Sequence, residues 1–123
     1  MTFRYLALLS SVLLFGLSAV WMFAPELMLT QWGVQYSDGA GLVSRRAAAF
    51  YAGIALMLLL ARNAEASKAR VALAKGVSLT CLILATLGIL EWQSGSATAH
   101  ILVAVVLEAV LAVAFLLSNK AKS

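Results

Sequence analysis

Four apolar runs, each about the length that crosses a bilayer, divide this chain, and most of its charges fall between them. The hydrocarbon core is about 30 Å thick, and a helix rising 1.5 Å per residue spans it with about 20 apolar residues. The runs lie at about 5–23, 40–61, 71–90 and 99–117. Composition points the same way. The chain is 63% hydrophobic and 11% charged, whereas a soluble domain carries about 25% charged residues. Too little polar surface remains to coat a water-soluble body. The expected fold is an all-α membrane protein, a four-transmembrane-helix bundle forming one domain over 1–123.

The connections have their own signals. The first run begins after Arg4 and ends in Trp21-Met22-Phe23 before Ala24-Pro25. A secretory signal shares the short basic start and apolar core, but no A-x-A cleavage site follows, and a retained span is the preferred reading. Pro25 and Glu26 suit the first turn of a helix, Leu27, Met28, Leu29 and Trp32 give it an apolar side, and Gly33 suits its C′ stop. A short interfacial helix is therefore expected between helices 1 and 2. Ser37 or Asp38 is placed to cap the next helix. That helix has to start near residue 40, because 47–61 alone is a bare span. Arg45 and Arg46 then lie about 7–9 Å inside it.

Lysines and arginines set the orientation. Arg4, Arg62, Lys68, Arg70, Lys75, Lys120 and Lys122 share the side of the termini. Arg45 and Arg46, with Glu26, Asp38 and Glu91, take the other. The imbalance predicts a multi-pass protein of a bacterial inner membrane with both termini cytoplasmic. Lys75, in the early turns of its span, can snorkel to the headgroups. Topology thus explains the net charge of +4 and disfavours nucleic-acid binding. Trp21, Trp32 and Trp92 fall on the opposite side, as an aromatic belt would place them.

Helical spacing groups the remaining candidates. Ala74, Ser78, Cys81, Ala85 and Gly88 form a small-residue stripe suited to close helix packing. Arg46, Ala49 and Gly53 share one face, and Ala104, Glu108 and Ala112 another; both are expected to face the bundle. An isolated charge as deep as Glu108 costs at least about 2.5–3.5 kcal/mol on insertion scales. An Arg46–Glu108 ion pair is the economical expectation, with Arg45 as the alternative partner. Its leading role would be to fix helix register. The next reading is a pocket for an anionic headgroup or a polar cofactor edge, lined by Arg45, Arg46, Tyr51, Trp92, His100 and Glu108. The third is a proton-coupled or catalytic Glu108, with His100 on the same side of the helix. Cys81 and His100 are the sole cysteine and histidine. An intramolecular disulfide is excluded, and no metal ligand set or cofactor is expected. No constellation of His, Asp and Ser marks a catalytic site.

Phe23-Ala24-Pro25-Glu26, Gly33-Val34, Arg45-Arg46 with Gly53, and Leu60-Ala61-Arg62 resemble small bacterial four-helix membrane proteins of the DoxX-like type. The second half of the chain resembles them by hydropathy. The resemblance implies an inner-membrane four-helix bundle associated with oxidoreductase or quinone-linked systems, and it supplies no catalytic residues. Three functions are weighed. The first is a non-enzymatic accessory or assembly partner that docks on other membrane proteins. The second is a protein that binds a lipid or quinone-like molecule in an outer-leaflet pocket around Arg45, Arg46 and Glu108. The third is a homo-oligomer moving a small solute or protons. Membrane lipids are partners in each.

Overall fold

Five helices make up the chain in the computed structural model, which describes residues 2–118; Lys120 and Lys122 lie outside the described residues. They are α1 (Phe3–Phe23), α2 (Pro25–Gln31), α3 (Asp38–Ala61), α4 (Lys68–Gln93) and α5 (Ile101–Ser118). All except α2 are long and apolar enough to cross a membrane. Their outer surfaces carry large apolar side chains, among them Phe23 (84% exposed), Phe50 (75%) and Leu60 (72%). Such a surface would drive aggregation in water and suits lipid. The protein is a four-helix membrane bundle, as the apolar runs predict.

Caps decide where the helices begin. The side chains of Thr2, Ser37 and Ser67 accept hydrogen bonds from the backbone N–H of Tyr5, Ala40 and Arg70. Each satisfies one orphan donor of a first turn. Ser37, of the two candidates, is the cap. Pro25 occupies the first turn of α2, with Glu26 beside it.

Two glycines decide where helices end. Gly33 (φ +74°) and Gly95 (φ +83°) follow α2 and α4 in the left-handed region. Val34 N–H donates to the Leu29 carbonyl (2.8 Å) and Gly33 N–H to Thr30 (3.1 Å). Ser96 N–H likewise donates to Glu91 (2.9 Å) and Gly95 N–H to Trp92 (3.2 Å). Both are Schellman ends, which close the last turn and reverse the chain.

The long helices associate in two pairs, α1 with α3 and α4 with α5. A serine joins each pair. Ser18 Oγ donates to the Ala48 carbonyl at 2.8 Å, and Ser78 Oγ to the Ala112 carbonyl at 2.7 Å. Small residues let the backbones approach closely enough for these bonds. The stripe Ala74, Ser78, Cys81, Ala85 and Gly88 is buried throughout. A Cβ on Gly88 would stand 2.5 Å from Val105 Cγ2.

The two pairs meet unevenly. At the end that holds Thr2 and Ser118, one core draws on four helices: Phe3 and Leu6 of α1, Leu58 of α3, Val77 of α4, and Leu111 and Phe115 of α5. Phe3 packs edge-on against Phe115, with ring centroids 6.3 Å apart. At the other end a smaller core joins only Trp21, Leu29 and Ala48. There the pairs separate and are tied by one loop. Thr98 Oγ1 donates to the Gln31 carbonyl (2.6 Å), and Thr98 N–H donates to Trp32 (2.8 Å). The α4–α5 connection thus satisfies carbonyls that the end of α2 leaves open.

Candidate functional site: an interhelical cavity

Between the separated ends of the two helix pairs lies a cavity of about 520 Å³. That volume is within the usual range for small-molecule pockets. Leu29, Val43, Leu84, Leu87 and Ile101 make apolar walls. Gly88 and Ala104 leave room that larger side chains would fill. Trp21 and Trp32 lie along the α1–α2 side, their rings tilted at 54° with centroids 5.4 Å apart. The polar groups are Ser44, Tyr51, Glu91 and Glu108.

Helix geometry explains this lining. Successive residues turn by 100°. Ala40, Ser44, Ala47 and Tyr51 of α3 therefore share one side and line the cavity. Ile101, Ala104 and Glu108 do the same on α5. Glu108 is seven residues into α5, about 10–11 Å along the axis, so its carboxylate sits well inside the apolar layer. A second cavity of about 60 Å³ continues towards the closed end, lined by Leu14, Leu17, Val77, Thr80 and Cys81 among others. Tyr51, Leu84 and Glu108 line both cavities and lie where they adjoin.

Several expected site residues lie elsewhere. Tyr51 and Glu108 line the cavity; Arg45, Arg46, Trp92 and His100 do not, and all four are exposed. Among the described residues no Arg or Lys nitrogen lies within 4.0 Å of a carboxylate, so the expected Arg46–Glu108 pair is not formed. Nor is the alternative pair with Arg45. The reason is rotational. Arg45 and Arg46 lie about 100–160° around α3 from Ala40 and Ser44, so they share the cavity's depth but face away from it. Arg46, Ala49 and Gly53 do share a face, but it points outward and not into the bundle. Trp21 and Trp32 form part of the cavity wall, and Trp21 is only 9% exposed.

Sequence reasoning did not assign Trp21, Trp32, Ser44 or Glu91 to the site. Ser44 was recoverable from its i−7 spacing to Tyr51. The tryptophans were not, because only the Schellman turn after α2 and the Thr98 tie fix Trp32 beside Trp21.

Among the described residues the cavity is lined by two carboxylates and no cation, which does not suit an anionic headgroup. A carboxyl group accepts hydrogen bonds when ionised and donates one when protonated. Tyr51 can do both. The set fits a neutral or cationic polar group on an otherwise apolar molecule. Among the described residues no three His, Cys, Asp or Glu side chains converge as a metal site.

Fold and cavity together define a class: a four-span helical membrane protein with a pocket between two helix pairs. Compared with known proteins, the chain matches no family model, no curated protein and no solved structure.

Proposed function

We propose that this protein binds an elongated apolar molecule, lipid- or quinone-like, between its two helix pairs. The polar end of the molecule hydrogen-bonds to Glu108 and Tyr51. The observation that carries this reading is the 520 Å³ cavity lined by the Glu108 carboxylate and, among the described residues, by no cation. A lone carboxylate at this depth is costly, and a ligand hydrogen-bonded to it offsets part of the cost. Trp21 and Trp32 offer flat apolar surface to rings or chains. The cluster of Arg4, Arg62, Lys68 and Arg70 at one end of the bundle supports a cytoplasmic placement of the termini in a bacterial inner membrane.

The test is native mass spectrometry of the wild type and Glu108→Gln, extracted gently from membranes. A discrete bound mass on the wild type that the variant loses supports the reading. Ligand-free spectra for both would overturn it. A second reading, an accessory partner of other membrane proteins, draws on the outward face of Arg46, Ala49 and Gly53. Its mark in the same spectra is a stoichiometric bound protein.

A further inference from the structure

The opposite end of the bundle carries a second, chemically different site. A cavity of about 430 Å³ lies where α1 begins, α3 ends and α4 begins. Arg4, Arg62 and Arg70 all line it, and Glu65 is its one acidic residue. Each guanidinium is held by a neutral acceptor. Arg4 donates to Asn63 Oδ1 (2.8 Å), Arg62 to the Leu59 carbonyl (2.6 Å) and Arg70 to the Ala64 carbonyl (3.2 Å). None has a carboxylate within 4.0 Å among the described residues.

Arg70 is the most constrained of the three. It is 4% exposed, and its guanidinium lies 4.6 Å from the centre of the Phe3 ring. It also sits in the first turn of α4, where the helix dipole disfavours a cation. The first turns of α1 and α4 contain no acidic residue, but they hold Arg4, Lys68 and Arg70. Three guanidiniums and two positive helix ends therefore converge on this space, against the negative end of α3 and one exposed carboxylate, Glu65. An arginine has five N–H donors in a planar fork that matches phosphate oxygens. Named hydrogen bonds use one nitrogen of each.

We infer that this cavity holds a phosphate group, and that an anionic phospholipid supplies it. The cavity lies at the end of the apolar spans, at the level where a headgroup resides. Arg4 and Arg62 reach the phosphate from its open side, and Arg70, braced on Phe3, forms its base. This inference is independent of the ligand proposed for the larger cavity.

The test uses the full chain in mixed micelles with equal amounts of phosphatidylglycerol and phosphatidylcholine, and counts retained lipids by native mass spectrometry. Retention of phosphatidylglycerol over phosphatidylcholine by about thirtyfold is expected, the size that two charge contacts give at a membrane surface. The double variant Arg4→Gln/Arg62→Gln should reduce that preference at least severalfold and keep its melting temperature in phosphatidylcholine. Arg70 is left in place, because its packing on Phe3 serves the fold. Excess inorganic phosphate should not displace the lipid; displacement would assign the site to free phosphate and overturn the lipid source. Equal retention of the two lipids by the wild type, which needs no variant to fold, would overturn the anionic phospholipid as the occupant. So would an unchanged preference in a folded double variant.

Discussion

Replacing Glu108 with leucine separates two electrostatic descriptions by the sign of its effect. If Glu108 were ion-paired with an arginine inside the bundle, removing it would strand a buried cation and cost about 3–5 kcal/mol. Among the described residues it has no such partner within 4.0 Å. The cost of its carboxylate is then released on substitution. Near the centre of a membrane helix an acidic residue costs about 2.5–3.5 kcal/mol, and leucine contributes about −0.3 to −0.6. Glu108 stands close to the middle of α5, an 18-residue helix. It is half-buried and faces a cavity large enough to admit water, so roughly half of that difference applies. Glu108→Leu should stabilise the ligand-free protein by about 1–2 kcal/mol. The assay is reversible unfolding in mixed micelles by titration with sodium dodecyl sulfate, followed by far-ultraviolet circular dichroism. Destabilisation by more than about 1 kcal/mol would refute the reasoning, because the carboxylate would then have a partner in the folded state.

Other expectations follow from single contacts. Ser78→Ala removes the 2.7 Å bond to Ala112 and should cost about 0.6–1.7 kcal/mol in the same assay. Ser10→Ala should be neutral or stabilising, because the buried Ser10 hydroxyl has no hydrogen-bond partner among the described residues. Gly33→Ala should lower stability by about 1–2 kcal/mol from its backbone conformation alone. The added Cβ would also stand 2.7 Å from Thr98 Cγ2 and loosen the tie between the helix pairs, which limited proteolysis of the α4–α5 connection would detect.

Much of the fold was legible because lipid imposes a length on every span, and length is visible in sequence. All four spans appear within about three residues of their expected limits, and the short helix ends at Gly33 as its composition predicts. The small stripe from Ala74 to Gly88 was legible too, since its period alone decides which face packs. The site was legible only in part. Glu108 stands out as the one carboxylate deep in an apolar run, and Tyr51 lies within reach of the same depth. Hydropathy gives depth but not direction around a helix axis. Arg45 and Arg46 have the expected depth, yet they point away from the cavity, because Gly41, Ser44 and Ala48 form the buried side of α3. Which helices pair also leaves no mark in span lengths. The cavity exists because α1 pairs with α3 and α4 with α5, while the four helices converge fully only around Phe3 and Phe115.

The most direct test of the cavity as a binding site leaves its charges untouched and removes its volume. Ala104 lines the cavity one turn from Glu108, so Ala104→Phe places a ring where a ligand would lie. Native mass spectrometry of wild type and Ala104→Phe, purified together from the same membranes, should show a bound mass of a few hundred daltons or more on the wild type alone, with the variant still folded by circular dichroism. An equal bound mass on both proteins, or none on either, would contradict a ligand site between the helix pairs.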